Sequence, residues 1–93
     1  MPFMEEDFLI SLSKQGDLEA FNRLVEAHQL HIYNLSQHML RDKAHAEDVT
    51  QETFFAAFRS IRGFRGGSLK AWLYRIAFNA WLDVLRRRKR NLS

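Results

Sequence analysis

Side chains suited to nucleic-acid binding recur at helical spacing in the last third of the chain. Trp72, Arg75, Asn79 and Arg86 fall within about 60° of one another on a helical wheel. An aromatic ring, two guanidinium groups and an amide along one helix edge are suited to stacking on bases and contacting phosphates. The same stretch ends in five consecutive cations, Arg86–Arg90, more positive charge than a helix dipole requires. The pattern predicts an anionic partner; the alternative is a solvated basic tail.

The segment that precedes this stretch combines backbone freedom with an aromatic ring and a guanidinium group. Three of the six residues in the range 62–67 are glycine, with Phe64 and Arg65 between them. Glycine lets the backbone approach a ligand closely, and Ser68 is suited to cap the helix that follows. A phosphate or an extruded base could be held by loop N–H groups, the Phe64 ring and the helix N-terminus. In the alternative, Phe64 plugs the core and the glycines only turn the chain.

The net charge of +3 conceals two oppositely charged parts. Residues 1–58 carry four Lys or Arg and ten Asp or Glu, which gives 4 − 10 = −6. Residues 59–93 carry ten Lys or Arg and one acid, which gives 10 − 1 = +9. Such a division predicts two partners, a basic or mixed surface for the first part and a polyanion for the second.

Composition disfavours several other functions. No cysteine is present, so neither a disulfide nor a thiolate metal site is available. His28 and His31 are three residues apart, but no acid completes a familiar ligand spacing and no nucleophile–base set is visible, so we expect no metal, cofactor or catalysis. No apolar run approaches the roughly 18 residues of a membrane span, and the N-terminus is acidic where a signal peptide is basic. We therefore expect a cytoplasmic protein without a membrane partner.

Helices must position these residues, because the sequence has no period-2 segments or internal repeats and only one proline. We predict helices over Glu5–Gln15, Leu18–Leu40, Lys43–Ile61 and Ser68–Arg90. Gly16 is suited to end the first helix, and Asp17, Asp42 and Ser68 are suited to cap the next three. The predicted fold class is all-α: a compact bundle of four helices, in which three form the core, a short one is N-terminal, and the long C-terminal one is basic.

The apolar periodicity predicts which helix faces lie inside. The third helix should bury Val49, Thr53, Ala57 and Ile61, and the last helix should bury Leu69, Leu73, Ile76, Ala80 and Val84. Trp81 is expected to pack against the bundle, and Asp83 is expected to pair with Arg87 across one helical turn.

The outer side of the third helix carries Asp48, Gln51, Glu52 and Phe55. The three polar residues are compatible with a hydrated helix face. Phe55 on the same side would be an exposed aromatic residue, which favours a protein contact. Both interpretations remain open from the pattern alone.

Two blocks of this sequence resemble region 2 of bacterial sigma factors, most closely the extracytoplasmic-function (ECF) group of the sigma-70 family. The blocks are Asp48-Val49-Thr50-Gln51-Glu52-Thr53-Phe54 and Ala71-Trp72-Leu73-Tyr74-Arg75-Ile76-Ala77-Phe78-Asn79. Asp17-Leu18-Glu19-Ala20-Phe21 is also similar to the opening helix of that group, so the resemblance extends from about Asp7 to Arg90. Members of the group normally continue into a second helical domain that reads the −35 element. We expect residues 1–93 to be a single region 2 domain, with that second domain absent from this chain.

The resemblance implies a transcription initiation factor that binds core RNA polymerase and recognises and melts the promoter −10 element. The helix with Asp48, Gln51, Glu52 and Phe55 would dock on the clamp helices of the polymerase largest subunit. The loop and last helix would read the single-stranded non-template strand, with one base flipped into a pocket at the loop. By this resemblance the DNA-binding residues are Phe64, Arg65, Gly66, Gly67, Ser68, Trp72, Arg75, Asn79 and Arg86.

Other functions compete with this interpretation. A helix-turn-helix duplex binder needs a short recognition helix, which the 23-residue Ser68–Arg90 segment fits poorly. Arg86–Arg90 would also suit an acidic lipid surface. A helical DNA-binding or protein-interaction module that melts no promoter and is regulated by an anti-sigma factor remains a further alternative, because family members are commonly held by such partners over this surface.

Overall fold

The structure, a computed structural model, describes residues 2–92, with side chains from residue 5 onward. Its elements are α1 (Pro2–Lys14), α2 (Leu18–Leu40), α3 (Lys43–Ser60), a single 3₁₀ turn (Ile61–Gly63) and α4 (Leu69–Asn91). No strand occurs among residues 2–92, and the predicted all-α fold class is confirmed. No helix in this part of the chain is long and apolar enough to cross a membrane.

Short polar links set the helix boundaries. In each of the three predicted caps, a side-chain oxygen accepts a hydrogen bond of 3.0–3.1 Å from the backbone N–H three residues later. The caps are Asp17, Asp42 and Ser68. Such a bond satisfies one of the free donors of a helix start. The first helix begins at Pro2 instead of Glu5, and proline is compatible with the first helical position. The third gives way to the 3₁₀ turn after Ser60 instead of reaching Ile61.

The core lies where α2, α3 and α4 meet. The predicted inner face of α3 is confirmed, since Val49, Thr53, Ala57 and Ile61 are all buried. The prediction for α4 is only partly right: Leu69, Leu73 and Val84 are buried, but Ala77 and Trp81 replace Ile76 and Ala80, which are half-buried. The buried arc of α4 is wider than one stripe because α4 packs on both α2 and α3.

The buried arc of α4 includes Trp81 because this residue packs against α2. Its indole Nε1 donates a hydrogen bond of 2.7 Å to the hydroxyl of Ser36 on α2, and both residues are buried. A buried indole N–H needs such a partner. The packing role predicted for Trp81 is confirmed.

Helix α1 packs on α2 and reaches the 3₁₀ turn. Ile10 and Ser13 are its buried residues among those whose side chains are described. Nε2 of His28 lies 3.2 Å from a carboxylate oxygen of Glu6, which joins α1 to α2. This packing brings the end of α1 beside the loop that precedes α4.

Candidate nucleic-acid interface

Phe64 forms the inner support of the loop between the 3₁₀ turn and α4. Its side chain is only 5% exposed, and its ring centroid lies 5.3 Å from that of Trp72, with the two planes tilted by 57°. Lys14 donates a hydrogen bond of 2.5 Å to the Phe64 carbonyl, and its Nζ lies 5.9 Å from the centre of the Phe64 ring. This placement favours the alternative in which Phe64 plugs the core. The ring face expected to stack on a base is covered in this structure.

The loop tip, Arg65–Ser68, is exposed throughout. Gly66 has φ +95° and Gly67 has φ +81°, a backbone region that side chains with a Cβ rarely adopt. A Cβ at either position would meet nothing within 4 Å, so backbone conformation and not space requires glycine here. The Ser68 hydroxyl already accepts from the N–H of Ala71. The loop tip can therefore offer the Arg65 side chain and backbone groups beside the N-terminus of α4.

The α4 edge, defined as Trp72, Arg75, Asn79 and Arg86, lies on the outer side of its helix. Arg75, Asn79 and Arg86 are exposed and Trp72 is half-buried against Phe64. Arg86 lies 4.0 Å from the carboxylate of Asp83, and both side chains are largely exposed. Such a pair is weak and leaves Arg86 available to an anion.

The expected ion pair between Asp83 and Arg87 is wrong. Arg87 Nε instead donates to the backbone carbonyl of Asp83 at 3.4 Å, and the carboxylate lies near Arg86. The two arginines are adjacent on the helix, so spacing alone could not choose between them.

The basic run, Arg86–Arg90, is not uniform. Arg86, Arg87, Lys89 and Arg90 are exposed, but Arg88 is half-buried and directed at the α2–α3 corner. Its Nη1 donates to the Leu40 carbonyl at 2.8 Å, and its Nη2 lies 2.8 Å from Nδ1 of His45. This role of Arg88 was not among the predictions from the sequence. A signal was available, because Arg88 follows buried Val84 by four residues and buried Trp81 by seven.

Asp42, beside this corner, has a pKa below its ordinary value of 3.8. The main cause is the hydrogen bond donated to its carboxylate by the backbone N–H of His45, and the N–H of Ala44 and the charge of Arg88 act in the same direction. A carboxyl whose pKa is lower in the folded state stabilises the fold at pH values above its unfolded pKa. That contribution is lost as the pH falls through the folded pKa.

We expect Asp42→Asn to remove this pH dependence. Asparagine caps a helix about as well as aspartate but does not titrate, so the stability difference between wild type and variant should shrink as the pH falls below 3.8. Urea unfolding of both proteins at a series of pH values from 7 to about 2.5 measures the difference. Parallel curves over this range would contradict the assignment.

The four residues expected to bind polymerase are exposed on α3, with Phe55 59% exposed. Gln51 and Phe55 line an apolar groove of about 840 Å³ between α2 and α3; Asp48 and Glu52 are outside its lining. The α2 side of this groove, where Leu18 and Leu30 are 56% and 70% exposed, was not predicted from the sequence. The sequence did contain a sign of this surface, because Leu18 and Leu30 are apolar residues that lie outside the buried stripe of α2. The acidic face of α3 therefore lies directly beside an open apolar groove.

His28 and His31 make contacts within the helix bundle. His28 contacts Glu6, and the His31 ring stacks on Tyr74 with centroids 5.3 Å apart. Among the described residues, no group of three or more His, Cys, Asp or Glu side chains could hold a metal ion.

Together the fold and surface define an all-α domain with two different faces. One is basic and consists of the loop tip and the α4 edge; the other is acidic and apolar and consists of the outer side of α3 and the groove beside it. A family model described as Sigma-70 region 2 matches residues 24–91, and the chain belongs to this family. The ECF RNA polymerase sigma factor SigE of Mycolicibacterium smegmatis is 38% identical over 76 residues, which cover 82% of this chain and 30% of that protein. SigW of Bacillus subtilis, another ECF RNA polymerase sigma factor, is 39% identical over 77 residues, covering 82% of this chain and 41% of that protein. The chain thus spans less than half the length of these relatives.

Two solved structures share the fold. An engineered region 2 of sigmaE, determined by NMR in complex with GTAAAA, has a TM-score of 0.85 at 31% identity, covering 95% of this chain and 93% of that one. CnrH, solved in complex with the cytosolic domain of CnrY, has a TM-score of 0.79 at 28% identity, covering 85% of this chain and 52% of that one. These similarities confirm the resemblance to ECF sigma factor region 2.

Proposed function

We propose that this chain is a single region 2 unit that binds core RNA polymerase and reads the promoter −10 element as single-stranded non-template DNA. The observation that carries the proposal is the continuity of the exposed loop tip with the α4 edge, where no acid occurs between Glu52 and Asp83. The similarity to a region 2 solved with GTAAAA supports the same assignment. The chain would act by binding, without catalysing a reaction, in the cytoplasm.

One base would be held at the loop tip. Gly66 and Gly67 are exposed and carry no side chain, so their backbone is uncovered, and the N-terminus of α4 beside it favours negative charge. Arg65 supplies a fork of donors suited to a base edge. Phe64 would support the pocket from below instead of stacking on the base.

The rest of the strand would follow the α4 edge. Trp72 is half-exposed beside the loop and offers part of an indole face for stacking. Arg75 and Arg86 would contact phosphates, and Asn79 offers an amide to a base or the backbone. Trp72 also contacts Phe64, so the α4 edge begins directly beside the loop.

Polymerase would bind the face formed by α3 and the groove. Asp48 and Glu52 supply exposed negative charge, while Gln51 and Phe55 stand at the apolar groove. A helix carrying both basic and apolar residues fits such a face. The clamp helices of the polymerase largest subunit are the proposed partner.

A second candidate function is a helical module regulated by an anti-sigma factor without promoter melting. The open groove between α2 and α3 favours it, because an amphipathic helix could lie there. CnrH, which shares the fold, was solved in complex with the cytosolic domain of CnrY. Failure of the domain to bind any single-stranded −10-like oligonucleotide would favour this alternative.

Exchanging Arg65–Gly67 for a loop of different sequence tests the main proposal. With Ser68 kept as helix cap, we expect the preferred base at one position to change, since a well-placed donor pair is worth about 1–3 kcal/mol of base discrimination. Binding is measured on single-stranded −10-like oligonucleotides varied at each position. The matched control is Arg62→Gln, an exposed change just before the loop. Identical base rankings for wild type and the exchanged loop would show that the loop is only a connector.

Reversing the charge of Asp48 or Glu52 should weaken binding to core polymerase. Both carboxylates are exposed, and exposed substitutions change stability by only about 0.5 kcal/mol, so the effect should appear in affinity and not in melting temperature. Asp7→Lys, an exposed reversal on α1, is the control. Polymerase affinity equal to that of the control would exclude this face.

A further inference from the structure

We infer that Arg88 is a positioning residue: it holds the last two turns of α4 on the α2–α3 corner and does not itself bind nucleic acid. The contacts of Arg88 with Leu40 and His45 are called the Arg88 bridge. Its consequence for DNA binding rests on the proposed function, whereas its structural part does not.

The Arg88 bridge joins three helices through one guanidinium group. Leu40 is the last residue of α2, and a carbonyl at a helix C-terminus has no donor within its own helix. Arg88 supplies one at 2.8 Å. His45 lies in the first turn of α3, and its Nδ1 is 2.8 Å from Arg88 Nη2. Because arginine only donates, Nδ1 must accept here and the ring proton is on Nε2.

The carboxylate of Asp42 lies 3.5 Å from the same Nδ1. Nδ1 cannot donate to Asp42 while accepting from Arg88, and the shorter contact decides in favour of Arg88. Asp42 instead holds His45 through the hydrogen bond from the His45 backbone N–H. The cap of α3 therefore orients the acceptor used by α4.

The end of α4 buries few side chains. Its buried residues stop at Val84, and beyond that point half-buried Leu85 and Arg88 are its inward side chains. Exposed cations of the basic run such as Arg86 and Lys89 are one turn apart, so they repel one another and favour fraying. Without the Arg88 bridge, these cations would not be presented to a phosphate backbone in a fixed helical array.

The Arg88→Lys variant distinguishes loss of the Arg88 bridge from loss of positive charge. An ammonium group keeps the charge but lacks the rigid fork that serves two acceptors at once. Arg87 is the matched control, since it is the exposed neighbour in the same run and its hydrogen bond to the Asp83 carbonyl lies within α4. The informative variants are Arg88→Lys, Arg88→Gln, Arg87→Lys and Arg87→Gln.

Amide hydrogen exchange of the free protein tests the structural part. In both Arg88 variants we expect residues 86–91 to exchange roughly tenfold faster or more, the size expected for loss of hydrogen bonds to a charged group. The Arg87 variants should change these rates by less than about threefold. Amides at Leu73 and Ala77 report whether the core is intact, and His45→Ala should give part of the Arg88 effect. Wild-type exchange at 86–91 in Arg88→Lys would overturn the inference.

Titration with a single-stranded −10-like oligonucleotide at several salt concentrations tests the functional part. If Arg88 positions the run, Arg88→Lys binds as weakly as Arg88→Gln, and both bind more weakly than Arg87→Lys, which keeps a cation at an exposed position of the run. If Arg88 were a phosphate contact, Arg88→Lys would bind like wild type and Arg88→Gln would lower the slope of log K against log salt by about 0.7; that result would overturn the inference. Absence of wild-type binding would refute the proposed function, and the exchange rates would still decide the bridge.

Discussion

Replacing Trp81 by alanine is expected to lower the free energy of unfolding by about 3–5 kcal/mol. The side chain is 7% exposed in the core shared by α2 and α4, and its N–H holds the buried hydroxyl of Ser36 at 2.7 Å. Domains of this size are typically stable by only about 5–15 kcal/mol, so the variant should lose a large part of its stability. Urea unfolding followed by circular dichroism measures the change.

The hydrogen bond itself can be separated from the packing. Trp81→Phe leaves the Ser36 hydroxyl buried without its partner, and Ser36→Ala does the same to the indole N–H, so each should cost about 1–3 kcal/mol. The double variant should cost less than the sum of the two single variants, because it leaves no unpaired group. Phe78→Ala, at a 49% exposed ring on the same helix, is the control. A Trp81→Ala loss no larger than that of the control would contradict this account.

Local signals made most of the fold predictable. The three caps and Gly16 are short-range features, and they placed the ends of α2 and the starts of α3 and α4 within a residue. The face of α4 was harder, because apolar periodicity cannot tell how many helices pack on one side. Trp81 was buried by a partner 45 residues away, Ser36, which no helical wheel contains.

The candidate site was predictable to a similar extent. The exposed positions of Arg75 and Asn79 follow from helical spacing, since they lie outside the apolar stripe, and that of Arg65 follows from its place among the loop glycines. The orientation of Arg88 did not follow in the same way, because its acceptors are at the ends of two other helices. The choice between the two roles of Phe64 depended on Lys14, 50 residues earlier in the chain. In both cases the deciding contact is tertiary.

Phe64→Ala should destabilise the domain and also abolish selection of a base. The ring is 5% exposed and lies between Lys14 and Trp72, so its removal should cost about 3–5 kcal/mol of unfolding free energy. The loop tip would lose its support, and the backbone groups of Gly66 and Gly67 would no longer be held in one place. Non-specific affinity from the basic run should remain, because α4 carries it separately.

The outcome separates the two roles of Phe64. If the ring stacked on a base, Phe64→Ala would lose about 1–3 kcal/mol of oligonucleotide affinity while the free energy of unfolding stayed unchanged. If the ring supports the loop, Phe64→Leu should recover much of both stability and base ranking, since leucine fills most of the same apolar space. Arg65→Ala is the matched control: exposed, it should change stability by only about 0.5 kcal/mol yet still weaken base discrimination. Unfolding measured with urea, together with binding to oligonucleotides varied at one base, gives both quantities for each variant, and wild-type stability of Phe64→Ala would contradict the supporting role.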